Sequence, residues 1–152
     1  MKILFDKDTF TISSKLKSTP KFDWVLFDKI KNRVLGEDYE LSLSFMGKGR
    51  MRDLNRIHRG KDYTTDVLSF PLDDFSPEKK GTESKNAGNS GSKMGEIFIN
   101  LDVANKKAKD FDRTPTNYLS FLFIHSLFHL KGLDHGDEME MLESAVREFF
   151  GI

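Results

Sequence analysis

Residues 114–135 read Thr114-Pro115-Thr116-Asn117-Tyr118-Leu119-Ser120-Phe121-Leu122-Phe123-Ile124-His125-Ser126-Leu127-Phe128-His129-Leu130-Lys131-Gly132-Leu133-Asp134-His135. Threonine followed by proline is a helix N-cap with proline at the first helical position. The helix that follows is apolar almost all round, through Tyr118, Leu119, Phe121, Leu122, Phe123, Ile124, Leu127, Phe128 and Leu130. A helix with no wholly polar face is buried in the middle of a domain. Gly132 ends it, since glycine readily takes the left-handed conformation that closes helices. The rest of the chain has to pack around this segment.

Ile3-Leu4-Phe5 within Met1–Thr11 predicts a strand. Thr19-Pro20 repeats the cap-plus-proline signal, with Phe22, Val25, Leu26, Ile30 and Val34 at helical spacing and Gly36 ending the run. Tyr39, Leu41, Leu43 and Phe45 alternate with polar residues, the period of a strand with one buried face. Met51, Leu54 and Ile57 predict a short helix over 50–58. Asp66–Phe70 reads as a strand that Pro71 stops or pushes to a sheet edge, and Ile97-Phe98-Ile99 as another. Asn100 can cap a helix carrying Val103, Ala104, Ala108 and Phe111. After Gly132, Met139, Leu142, Val146 and Phe149 predict one face of an amphipathic C-terminal helix. Residues 76–93 hold a single apolar side chain, Ala87, and cannot bury enough to offset the entropy of ordering, so a disordered loop is expected there. Strands come early and helices late. The fold class is α+β, a small mixed sheet of about four strands with about five helices, one of them central and buried.

The chain has 152 residues, which suits one domain spanning 1–152. It has no cysteine, which excludes disulfides, iron–sulfur clusters and thiolate zinc sites. A metal has to be held by His, Asp, Glu or carbonyl groups. No apolar run approaches the ~20 residues of a membrane span, and the charges in MKILFDKDTF come too early for a signal-peptide core. A cytoplasmic protein without membrane attachment is expected.

Three of the four histidines, His125, His129 and His135, lie within eleven residues. Helix positions i and i+4 share a face, so two imidazoles can converge on one ion at ~2.0–2.1 Å each. A turn at Gly132 can return His135 to the same face. Three neutral imidazoles leave a fourth zinc position for water, the catalytic arrangement. The spacing H-x-x-x-H-x-x-G-x-x-H is also that of the metzincin peptidases. Those use a glutamate directly after the first histidine as general base, and here that residue is Ser126. Met139 and Met141 fit core packing on the last helix better than a Met-turn. Asp134, beside a ligand candidate, reads equally as a group orienting an imidazole and as a turn former.

The charge balance of 24 basic and 24 acidic residues hides a polarity. Residues 48–61 carry Lys48, Arg50, Arg52, Arg56, Arg59 and Lys61 against Asp53, a net +5. Residues 134–148 carry six acidic residues against Arg147, a net −5. The basic stretch reads either as a phosphate-binding segment or as a solvated helix face.

Asn55–Pro71, with Arg59-Gly60-Lys61-Asp62 and Thr65-Asp66-Val67-Leu68-Ser69-Phe70-Pro71, resembles the signature of the YbeY family of bacterial endoribonucleases. Gly95-Glu96-Ile97-Phe98-Ile99 and the histidine run resemble two further motifs of that family, in the same order along about two-thirds of the chain. The resemblance implies one zinc ion per chain on His125, His129 and His135, and a functional arginine at Arg59. It implies hydrolysis of single-stranded RNA, maturation of the small-subunit rRNA 3′ end, ribosome quality control and contact with the ribosome or its small subunit. A zinc-dependent endoribonuclease is expected on these grounds. The alternatives are a ribosome-assembly factor with a structural zinc, distinguished by a fourth protein ligand such as Asp134, and a metallopeptidase. Ser126, Phe128 and Leu133 depart from the family pattern, and Ser126 is expected to narrow the space beside the metal. None of the departures removes a ligand.

Overall fold

The structure, a computed structural model, describes residues 1–18, 21–72 and 93–152. Five strands and five helices occur among the described residues, in the order β1 (Lys2–Lys7), β2 (Phe10–Ser14), α1 (Trp24–Val34), β3 (Glu40–Met46), α2 (Lys48–Arg59), β4 (Val67–Pro71), β5 (Met94–Asn100), α3 (Leu101–Asp110), α4 (Pro115–Leu130) and α5 (Asp137–Phe150). The sheet runs β1-β2-β3-β5-β4. β2, β3 and β5 are parallel, and β1 and β4 flank them antiparallel. This is the mixed sheet of an α+β fold, with one strand more than the pattern suggests. The segment read as a single strand over Met1–Thr11 is a hairpin, reversed at Asp8 with φ of 45°. Aspartate is among the few residues other than glycine that tolerate that conformation. Pro71 sits at the end of an edge strand, where its missing N–H costs no ladder bond.

Period-two alternation on the parallel strands puts Phe10, Ile12, Leu41, Leu43, Phe45, Ile97 and Ile99 into the main core. α4 lies on that face, with ten of its sixteen residues buried. Phe123 is at the centre, stacked on Phe27 at 4.6 Å and on Phe10 at 5.9 Å. α2 belongs to a second, smaller core built from Met46, Met51 and Leu68, with Leu54, Phe70 and Phe98 packed against it.

The caps follow the sequence signals closely at the C-terminal half. Asn100 accepts from the Val103 N–H, and Thr114 Oγ1 accepts from the Asn117 N–H at 3.1 Å with Pro115 next in line. The first helix differs. It starts at Trp24, capped by Asp23 accepting from the Leu26 N–H, and Thr19-Pro20 lies outside the described residues. Val25 is exposed there, and Phe27 takes the buried position. Ile57 is likewise exposed on α2. Of the loop expected over 76–93, only Lys93 is described, and its carbonyl accepts from the Glu40 N–H at 2.8 Å.

The last helix is rotated from its expected orientation. Met139 and Val146 are buried as the pattern predicts, but Leu142 and Phe149 are exposed and Glu143 is buried. Phe149 is covered by the Arg33 guanidinium, 3.5 Å from its ring centroid. The inward face is Met139, Glu143, Val146 and Phe150, spaced four, three and four apart. Among the described residues no helix is long and apolar enough to cross a membrane.

Gly95 on β5 has no room for a side chain. A Cβ there would collide with the Tyr39 hydroxyl and come within 3.0 Å of Leu130 at the end of α4. Gly95→Ala therefore overpacks the contact between the sheet and α4, and should cost about 1–3 kcal/mol of stability. A lowered urea midpoint with unchanged slope checks this; an unchanged midpoint would show that the contact yields freely.

Candidate metal centre

Past its first turn, α4 leaves only Phe121, His125 and His129 partly exposed. They are four residues apart and form one stripe on an otherwise buried helix. The helix then closes in a Schellman motif. Gly132 takes φ of 102°, its N–H donates to the His129 carbonyl, and the Leu133 N–H reaches back to the Phe128 carbonyl, both at 3.0 Å. This turn carries His135 back over the stripe. The three rings meet with centroids 4.5, 4.6 and 4.9 Å apart. One nitrogen from each of His125, His129 and His135 falls within 4.8 Å of the other two.

The outer nitrogens are committed. His125 Nδ1 donates to Glu143 Oε2 at 3.0 Å, and His129 Nδ1 donates to the Leu133 carbonyl at 3.1 Å. Both partners can only accept, which assigns the tautomers. With the rings neutral, each Nε2 bears a lone pair, and the two Nε2 atoms lie 3.1 Å apart. Two lone pairs at that distance cannot hydrogen-bond to each other. Tetrahedral bonds of ~2.0–2.1 Å would set them about 3.3 Å apart, so the donor set suits a shared cation. Burial, and then the neighbouring His125 and His135, hold the His129 pKa below the ordinary histidine value, against the smaller opposing effects of the Leu133 carbonyl and Glu143. That favours the neutral form a metal needs.

Glu143 is the residue sequence reading missed. It is only 4 % exposed, and its carboxylate fixes the ring plane of His125. The signal was an acidic residue at the i+4 position from Met139, on the buried face of its helix. Asp134 does not fill that role: it is exposed and makes no hydrogen bond or ion pair among the described residues. Ser126 does not narrow the space beside the imidazoles. It is buried on the other side of α4, with its hydroxyl donating to the Leu122 carbonyl at 2.8 Å. Met139 is core, and Met141 lines the hollow beside the histidines.

That hollow, about 580 Å³, is bounded by His125, His135, Phe121, Glu143 and Arg147, among others from α4 and α5. Arg59 is not among its lining residues. It ends α2 on an exposed surface, its guanidinium 5.9 Å from the Phe70 ring centroid. Within the basic segment, Arg52 forms a two-pronged pair with Asp62 and Arg56 pairs with Asp53. Lys48, Arg50, Arg59 and Lys61 make no ion pair among the described residues. The segment is tied to α4, the helix of His125 and His129, through Asp66. Asn55 Nδ2 donates to the Tyr63 carbonyl, and three residues on the Asp66 carboxylate accepts from Tyr118 of α4 at 3.4 Å and pairs with Lys107 at 3.3 Å. Burial and the adjacent Asp66 push the Tyr118 phenol up to about 12, so it stays a donor.

A cluster of three imidazoles, two of them braced from behind and without a fourth such ligand among the described residues, is the arrangement that metal-dependent hydrolases use. The family profile of Endoribonuclease YbeY matches residues 5–149. Endoribonuclease YbeY of Alkaliphilus metalliredigens is 43% identical over 112 residues, covering 73% of this chain and 67% of that one. That of Leptospira interrogans is 41% identical over 123 residues, covering 76% and 85%. The solution structure of TM1509 from Thermotoga maritima shares the fold, with a TM-score of 0.56 at 22% identity over 93% of this chain and 89% of that one. The chain belongs to the YbeY endoribonuclease family, and so to the nuclease hydrolases.

If Glu143 orients His125, Glu143→Gln should weaken binding of a divalent ion about 10–100-fold, the usual effect of losing such a bracing group. Competition against a chromophoric chelator measures this. Asp134→Asn should bind as the wild type does, and a loss there equal to that of Glu143→Gln would reassign the bracing role.

Proposed function

We propose that this single domain is a zinc-dependent endoribonuclease of the cytoplasm that cleaves single-stranded RNA, acting in small-subunit rRNA 3′-end maturation and ribosome quality control, with the ribosome or its small subunit as partner. The observation that carries the metal assignment is the pair of lone-pair nitrogens, His125 Nε2 and His129 Nε2, held 3.1 Å apart by partners behind each ring. His125, His129 and His135 would hold one zinc ion. When bound, such an ion supplies a Lewis acid for a phosphoryl oxygen and lowers the pKa of its water to ~7. Glu143 keeps the His125 Nδ1 proton in place and so keeps Nε2 available as a ligand. The Leu133 carbonyl does the same for His129. Arg59 binds the RNA phosphate and offsets the negative charge that develops on it, the role of a preorganised cation in a phosphodiester displacement. Lys48, Arg50 and Lys61, which make no ion pair among the described residues, attract the RNA backbone.

Neither alternative is favoured. A structural zinc would be closed by a fourth protein ligand, and the candidate, Asp134, is not among the residues whose ligand atoms cluster. A peptidase would need a carboxylate at position 126, where the serine is turned into the core.

Purified protein should contain about one zinc per chain by mass spectrometry of the metal. His129→Ala should lose both the zinc and RNA cleavage. Full zinc occupancy in that variant would remove the histidines from the assignment. Arg59→Ala should keep the zinc and lose cleavage of a single-stranded RNA by at least tenfold; wild-type rates would take Arg59 out of the mechanism.

A further inference from the structure

The stripe of α4 that carries His125 and His129 continues away from them as a row of rings. Phe111, Tyr118, Phe121 and His125 lie nearly parallel, with successive interplanar angles of 10°, 24° and 9° and centroid spacings of 5.8, 5.9 and 6.3 Å. The row starts at Phe111, 63% exposed just beyond α3, and ends on a metal-ligand candidate. Two guanidiniums lie over its third ring: Arg113 at 4.9 Å and Arg147 at 5.2 Å from the Phe121 centroid.

Neither arginine is in an ion pair among the described residues. Arg113 gives one N–H to Asn117 Oδ1 at 2.6 Å and keeps the others. Arg147 stands four residues after Glu143, a spacing at which a carboxylate and a guanidinium usually pair. Here Glu143 is taken by His125, and Arg147 is left on the wall of the hollow beside His125 and His135. Asp137 and Glu140 line the same hollow from the first turn of α5. Arg147 is seven residues from Glu140, ~10 Å along the helix, so the hollow has an acidic and a basic end. Planar cations stacked on aromatic faces, with donors to spare, match the repeating phosphates and flat bases of a single strand.

We infer that Phe111, Arg113, Phe121 and Arg147 form a subsite for the nucleotides of a single-stranded RNA next to the phosphodiester at the three imidazoles. Arg147 and Arg113 hold successive phosphates, and the exposed face of Phe111 stacks under a base. The inference rests on the endoribonuclease reading above. It places part of the strand on the α4–α5 side, away from the basic segment of α2.

The test is a fluorescence-anisotropy titration of the metal-loaded protein with a fluorescein-labelled 2′-O-methyl phosphorothioate octauridylate, which resists hydrolysis, beside cleavage of the unmodified octamer. Arg147→Ala should weaken binding about tenfold and flatten the log–log salt dependence by about 0.7, the share of one phosphate contact on a single strand. Phe111→Ala should weaken binding at least about fivefold, the lower end for loss of a stacked base, and should have no effect on an abasic octamer. Both variants should keep their metal. Arg33→Ala removes one positive charge and one ring contact elsewhere, and should bind as the wild type does. Wild-type affinity and salt slope in Arg147→Ala and Phe111→Ala, with the wild type still cleaving RNA, would overturn the subsite and leave the endoribonuclease reading standing. A loss in Arg33→Ala equal to that in Arg147→Ala would reduce the effect to net charge and overturn it too. A wild type that neither binds nor cleaves the octamers would overturn both.

Discussion

Burial of α4 is the constraint on which the other parts of the molecule depend. A sixteen-residue helix with ten buried positions has almost no freedom to rotate about its axis, because any turn would bring Phe123, Ile124 or Leu127 toward water. With the rotation set, the three positions left partly open past the first turn are set as well, and two of them are histidines. Metal ligands need placement to within a few tenths of an ångström. A close-packed core supplies that precision better than a loop does, since packed side chains move little about their mean positions. Phe123, stacked on Phe10 of the sheet and Phe27 of α1, sits six residues before His129. The hydrophobic core and the imidazole cluster are opposite sides of one helix.

His135 comes from outside that helix and needs a different device. The Schellman turn supplies it through two backbone bonds, with glycine at the one position where a left-handed conformation is required. The same turn places the Leu133 carbonyl where His129 Nδ1 can donate to it. One local motif thus terminates the helix, returns the third imidazole and fixes the tautomer of the second. The first imidazole is braced by Glu143 from α5, so the two helices and the turn between them form one unit around the site.

These features differ in how far they could be read from the chain. The buried helix, its cap, its glycine stop and the three histidines are all local in sequence, and each rests on a short-range rule of spacing or conformation. The parallel pairing of β2 with β3 is not local. The hairpin at Asp8 escaped the pattern because the reversal uses no glycine, proline or asparagine, and Thr9 and Thr11 fit a continuing strand as well as a turn. Glu143 was hidden for a related reason: apolar spacing on α5 supports a face through Leu142 and Phe149 as readily as the one observed. The choice between them is made by the buried carboxylate finding an imidazole, and by Arg33 covering Phe149, contacts with residues 18 and 116 positions away. Arg147 followed Glu143 out of reach, because its freedom to face the hollow is a consequence of that same pairing.

The neutral total charge becomes intelligible once the partners of each group are known. In the acidic segment, Asp137, Glu138 and Glu140 occupy the first turn of α5, where the helix dipole favours negative charge, and Glu143 is buried against His125. These carboxylates have structural reasons for their places. In the basic segment, only Arg52 and Arg56 are matched by carboxylates, and the other four cations have none among the described residues. Four of the six acidic groups thus have local stabilisation, from the helix N-terminus or an imidazole, whereas four of the six cations have no carboxylate partner among the described residues. Salt screens charges farther away than a Debye length of ~8 Å at physiological ionic strength, so a polyanion approaching α2 responds first to the cations there. The surface that meets it is therefore basic, whatever the chain sums to. Asp66, held by Tyr118 and Lys107, joins the segment after α2 to the helix that carries His125 and His129.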